Sequence, residues 1–197
     1  PHKPFLLISI LDLFAQGSFQ TNLIELTPEL GDIFSRYWSM IMPLYQRGNI
    51  ALPFFHLKSS GFWHLLPRPE SELSLAATRQ VDTLSQLNKL ILGASLDDEL
   101  FQLMTIEESR NALRTSLIKT YFAPEHHTSL LALGSANLES FVYSQQLIDH
   151  VQQKTKEIAR TDEQYQVNVR NQGFRRAVVR VYDHRCAFCG VRMLTTD

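Results

Sequence analysis

The sequence predicts an α+β fold that is mainly α, and three observations lead there. "HKPFLLISILDLFAQ" is apolar over most of a helical surface, and Thr27-Pro28 opens a second apolar-periodic run through "PELGDIFSRYWSMIM". "NIALPFFHLK" and "FWHLLP" are aromatic-rich segments joined by the turn "SSG". From about Pro69 onward the apolar spacing is helical, with turn residues only between runs.

Taken in order, the first run predicts a buried helix ended by Gly17, where glycine tolerates the left-handed backbone that stops a helix. "NLIEL" reads as a short extended piece. Thr27 is a natural N-cap and Pro28 fits the first helical position, so the second helix runs from there to the break at Pro43. The two aromatic segments then predict a β-hairpin over residues 49–67, with Trp38, Phe54, Phe55, Phe62 and Trp63 in the core. His56 and His64 would share one strand face. Helix, strand, helix, hairpin is a winged-helix-like order.

Beyond it, "SELSLAATRQVDTLSQLNKLI" and "DDELFQLM" are helix candidates, and Thr105 with Glu108 has the spacing of a capping box for "IEESRNALRTSLIKTYF". Pro124 starts a short helix that Gly134 should stop. A long amphipathic stretch runs on to about Arg160, and "TDEQYQVNVRNQG" reads as a linker.

At 197 residues and 44% hydrophobic content the chain can bury a core for one large or two small domains. No apolar run approaches the ~20 residues of a membrane span, and Asp12 interrupts the amino-terminal apolar stretch, which lacks a small-residue cleavage site. A cytoplasmic protein is the expectation. The net charge of −1 excludes a polycation but not a local basic patch. Arg170, Arg175, Arg176, Arg180, Arg185 and Arg192 crowd the carboxy-terminal end, whereas acidic residues gather in "LDDELFQLMTIEES".

The only cysteines, Cys186 and Cys189, form a C-x-x-C pair. A tight turn of that spacing supplies two thiolates to one edge of a tetrahedral zinc site, which wants about four ligands. No Cys or His comes after Cys189, so other ligands from this chain would lie upstream. A redox pair and two plain thiols remain the alternatives, although the preceding "RNQGFRRAVVRVYDHR" reads as a basic helix rather than a buried strand.

Phe174, Arg175, Val178, Tyr182, Cys186, Cys189 and Gly190, in "GFRRAVVRVYDHRCAFCG", resemble the opening of an HNH endonuclease domain of the zinc-stapled ββα-metal type. The resemblance implies structural zinc held in part by Cys186 and Cys189, and a divalent metal for catalysis in the intact domain. Catalytic residues cannot be named, because the sequence stops at Asp197, ahead of the position of the catalytic histidine. The knuckle is therefore expected to be truncated and this polypeptide inactive as a nuclease alone.

"HKPFLLISILDL", "PFFHLKSSGFWHLLP" and "SRNALRTSLIKTYFAPEHH" resemble the sulfur-binding domain of HNH-type, modification-dependent restriction enzymes. That resemblance implies residues 1–160 as a reader of phosphorothioate-modified double-stranded DNA, 161–169 as a linker and 170–197 as the start of the nuclease. It implies a shallow apolar cup from Tyr121, Phe122, Ala123, Pro124 and His126. Sulfur is larger and more weakly hydrated than the phosphate oxygen it replaces, so an apolar surface favours it. Lys58, Ser59, Ser60, Arg79, Gln80 and His127 are candidates for nearby bases and phosphates, and Arg175, Arg176 and Arg180 for phosphates in the intact enzyme. A homodimer on a palindromic site is compatible with this reading. Two alternatives stay open: a reader of a modified base, which needs a deep aromatic pocket, and a helical protein-interaction module, which needs an exposed apolar patch.

Overall fold

The computed structural model describes residues 2–43, 45–153 and 165–185. The described residues are mainly helical, with one two-stranded antiparallel sheet. They fall into two compact units that part between Leu130 and Leu131.

The first unit is built around α1 (His2–Ala15), whose residues from Pro4 to Phe14 are buried except Leu7. A helix apolar all round belongs in a core, and α1 packs against α2 (Pro28–Ile41), α3 (Ala51–His56), α6 (Asp98–Thr105) and α7 (Glu107–Tyr121). It ends as expected, with Gly17 at φ +66°. The α2 boundary is also as expected: Thr27 accepts a hydrogen bond from the Leu30 amide at 3.2 Å, with Pro28 at the first position.

The hairpin is a correction. Residues Ala51–His56 are helical and Leu57–Ser60 form a 3-10 turn, so no strand precedes "SSG". Ala51, Phe54 and Phe55 are all fully buried, a helical i, i+3, i+4 spacing rather than an alternation. The Asn49 side chain accepts the Ala51 amide at 3.0 Å and starts this helix. The second limb does form a strand, β1 (Trp63–Pro67), but its partner is β2 (Ile91–Leu96), with Trp63 opposite Leu96. The wing of a winged-helix unit is therefore absent from residues 49–67. His56 closes α3 and His64 lies in β1, so the two histidines do not share a strand face.

β2 also corrects the long helix expected over residues 71–91. That segment divides into α4 (Glu72–Ala77), a loop, α5 (Leu84–Leu90) and the strand. Gly93 explains the strand's position. A Cβ there would come within 2.5 Å of the Ile24 carbonyl oxygen, and the Ile24 and Ala94 backbones exchange hydrogen bonds of 2.7 and 2.9 Å. "NLIEL" is thus extended and joins the sheet by a single bridge. Trp38, Phe54, Phe55 and Trp63 are core residues as expected, while Phe62 is half-buried.

The Thr105–Glu108 capping box does not form. α6 extends through Thr105, whose hydroxyl donates to the Gln102 carbonyl at 2.7 Å. Arg110 caps that end instead, donating to the Met104 and Thr105 carbonyls at 2.9 and 3.1 Å. The capping box among these elements is Thr83–Gln86, at the start of α5.

One polar cluster lies inside this unit. Asp12 on α1 accepts from Arg114 on α7 at 2.5 Å and from the Tyr37 hydroxyl on α2 at 2.9 Å, and Arg114 also reaches the Tyr37 oxygen at 3.3 Å. The Asp12 side chain is 1% exposed and that of Arg114 10%. Burial first, then the charge of Asp12, holds the Tyr37 hydroxyl well above the usual phenol range.

α8 (Pro124–Gln153) runs straight through Gly134, which was expected to stop it. α9 (Tyr165–Val181) begins inside the segment that reads as a linker. In the second unit α9 meets α8 at Gly173, where a Cβ would lie 2.5 Å from Tyr143 Cδ1 and 3.0 Å from the Ser140 carbonyl oxygen. The buried side of this pair is small and polar, with Asn137, Ser140, Ser144 and Ala177. Phe174, Val178, Val181 and Tyr182 are exposed. Among the described residues, no helix is long and apolar enough to cross a membrane.

Candidate nucleic-acid interface

Two segments singled out in the sequence meet at the first turn of α1, and a third touches one of them. Lys3 donates to the Ser59 hydroxyl at 3.1 Å and to the Ser60 hydroxyl at 3.4 Å. Phe5, two residues on and so facing another side of the helix, holds Phe122 edge-on, with ring centroids 5.0 Å apart. Lys58 stands 3.7 Å above the Phe55 ring and 3.5 Å from the Thr78 carbonyl, which ties the turn to the loop carrying Arg79 and Gln80. Residues 58–60 and 121–127 are far apart in sequence and both touch the first turn of α1, while Thr78 touches Lys58.

The 3-10 turn results from the burial of α3. Phe55 and Leu57 are buried, which forces the next residues outward, and Gly61 at φ +85° reverses the chain. Lys58, Ser59 and Ser60 are exposed on that turn, as expected, though it is helical rather than a hairpin tip. Arg79 is exposed. Gln80 is partly committed, since its amide donates to Asp82 at 2.5 Å.

The corner between α7 and α8 carries "YFAP". Phe122 is extended, at φ −121° and ψ 149°, as expected before Ala123-Pro124, and Pro124 begins α8. Tyr121 is 63% exposed, and Ala123 and Pro124 are exposed too, so the corner offers apolar atoms to the surface. Phe122 is half-buried against Phe5. His126 is half-buried and its backbone amide donates to the Ala123 carbonyl at 2.9 Å. The ring Nε2 of His127 lies 2.9 Å from the Phe122 carbonyl, an acceptor, so that nitrogen carries the proton and helps hold the corner.

His2 stacks on Trp38 with centroids 4.5 Å apart. Burial keeps its pKa below the ordinary histidine value. Reading the sequence found the 58–60 and 121–127 segments but gave no role to Lys3 or Phe5. The signal was present in "HKPF", where a lysine interrupts a helix otherwise bound for the core.

In the second unit Arg175 and Arg180 are exposed on α9. Arg176 is half-buried, donates to the Asn137 carbonyl at 3.5 Å and lies 5.5 Å from the Phe141 ring centroid, so it binds α9 to α8. Cys186 and Cys189 lie outside the described residues. Among the described residues no group of three or more His, Cys, Asp or Glu side chains is placed to hold a metal ion.

Compared with protein-family models and with curated proteins, the chain matches none.

Proposed function

We propose that the first unit reads phosphorothioate-modified double-stranded DNA, and that in the intact protein it directs an HNH endonuclease to cleave such DNA. One observation carries the reading. The exposed corner of Tyr121, Ala123 and Pro124 is braced through Phe122 and Phe5 to the helical turn whose Lys3 reaches Ser59 and Ser60. An apolar surface beside ammonium and hydroxyl groups suits a backbone in which one oxygen has become sulfur. The apolar part takes the weakly hydrated atom, and the polar part takes the neighbouring phosphates. In this reading Cys186 and Cys189 supply two ligands of a structural zinc, and a divalent ion serves the nuclease.

The test is a gel-shift titration of matched duplexes, one phosphorothioated and one plain, with wild type and Pro124→Glu. A carboxylate at that position repels the backbone and removes apolar contact. The variant should lose the preference for sulfur while retaining most affinity for plain DNA, which comes from cations elsewhere. Phe122→Asp is the poorer variant, because Phe122 packs on Phe5 and its loss also damages the fold. A folded Pro124→Glu protein with the wild-type preference would remove the sulfur site from this corner.

A second reading, a protein-interaction module, draws on Leu138 and Val142 of α8 and on Phe174 and Val178 of α9, all exposed. It predicts that the 197-residue chain binds neither duplex.

A further inference from the structure

Lys3 of α1 reaches the 3-10 turn that itself carries Lys58, and among the described residues neither ammonium is paired with a carboxylate. Lys3 has neutral partners only, the hydroxyls of Ser59 and Ser60. The Ser59 proton is used on the His56 carbonyl at 2.9 Å, so its oxygen is free to accept from Lys3. Ser60 accepts from Lys3 as well, and its own proton has no acceptor among the described residues. Arg79, exposed on the loop that Lys58 reaches through Thr78, also lacks a hydrogen-bond or carboxylate partner among the described residues.

Like charges held at one turn repel, and an anion between them relieves that repulsion while taking up unused donors. A phosphate diester oxygen fits this donor set. It is compact, strongly hydrated and accepts from ammonium and hydroxyl groups alike. Sulfur, more polarisable and a poorer acceptor, gains less there than at an apolar surface.

We propose that Lys3, Lys58 and Ser60 form a clamp for an unmodified backbone phosphate of the bound duplex, with Lys3 as its centre. The clamp rests on the DNA-binding reading above and adds to it a division of labour. The corner at Tyr121–Pro124 chooses sulfur, and the clamp fixes the strand without reading the mark. Lys3 and Phe5 leave the same turn toward different sides, so the two sites lie roughly a helix diameter apart, ~10 Å. The clamped phosphate is therefore a different one from the marked phosphate.

The experiment measures the salt dependence of binding by the 197-residue chain to plain and phosphorothioated duplexes, for wild type, Lys3→Met, Lys58→Met and the double variant. Each lysine removed should lower the slope of log K against log salt by about one unit. The loss of affinity between 50 and 200 mM salt then shrinks about 3- to 4-fold per lysine. The change should be equal on both duplexes, leaving the sulfur-to-oxygen preference at its wild-type ratio. Lys3→Arg should restore the slope, which a purely structural tether to Ser59 and Ser60 would not require. An unchanged slope in a folded double variant overturns the clamp. If wild type shows no preference for sulfur but the slopes still fall, the sulfur reading fails and the clamp stands. If the preference is present and the slopes do not move, the reverse holds. Binding to neither duplex overturns both.

Discussion

The two units solve the burial of polar groups in opposite ways. In the first, a carboxylate, a guanidinium and a phenol are sunk together among aromatic and aliphatic side chains, and each satisfies the others. In the second, two helices approach closely over Gly173, and the buried residues include Asn137, Ser140 and Ser144. Ser140 Oγ has no hydrogen-bond partner among the described residues. Strong interior charges are tolerated where three helices fix their geometry, whereas the close contact of α8 with α9 relies on small residues. Polar burial in the first unit specifies an arrangement; in the second it results from close approach.

The largest expected effect tests the first half of that contrast. Arg114→Met leaves the Asp12 carboxylate buried without its counter-charge, with the Tyr37 hydroxyl still donating, and should cost ~3–5 kcal/mol in denaturant unfolding. A loss below about 1 kcal/mol would mean that the cluster is not what locks α1 to α7. Gly173→Ala, which drives a methyl into Tyr143 and the Ser140 backbone, should destabilise the second unit by ~1–3 kcal/mol. Hydrogen exchange confined to α8 and α9 would report it.

Alkaline pH sharpens the comparison. The folded state holds the Tyr37 proton more tightly than the unfolded chain, whose phenol titrates near 10.0. Below that pH both states are protonated and the full stability remains. As pH rises past it the unfolded chain releases a proton the folded chain keeps, and stability falls until the folded phenol also ionises. Tyr37→Phe should cost ~1–3 kcal/mol at neutral pH and flatten the decline above about pH 10. The smallest effect belongs to Ser140→Ala. Removing a hydroxyl with no described partner should change stability by less than about 0.5 kcal/mol or raise it slightly. A large loss there would reveal a partner and erase the contrast.

Elements whose cause is local were readable in the sequence. α1 comes from an unbroken apolar run and α2 from Thr27-Pro28, both within a few residues of their expected bounds. The elements misread were those decided by distant contacts. "ALPFF" carries β-favouring aromatics but buries them with helical spacing against α1. "ILGASL" has weak β propensity at Gly93 and Ser95, and is a strand because β1 and Ile24 lie alongside it. Gly134 did not stop α8, since a glycine in a helix interior costs only ~1 kcal/mol. The candidate site divides the same way. "TYFAP" was visible as a helix end and corner, but its neighbourhood was not, because the contacts of Phe5 with Phe122 and of Lys3 with Ser59 join segments distant in the chain.

The pairing of Trp63 with Leu96 also has a meaning in time. A hairpin closed by "SSG" would form early, in microseconds, and act as a template for later strands. The strand pair that does form needs α4, α5 and the loop between them to bring its ends together, so loop-closure entropy is lost before any ladder bond is gained. The sheet is thus expected to close late in folding, after α4 and α5 have formed. Until it closes, β1 and β2 are unpaired edges, and crowding of unfinished chains at that stage will favour pairing between molecules over pairing within one.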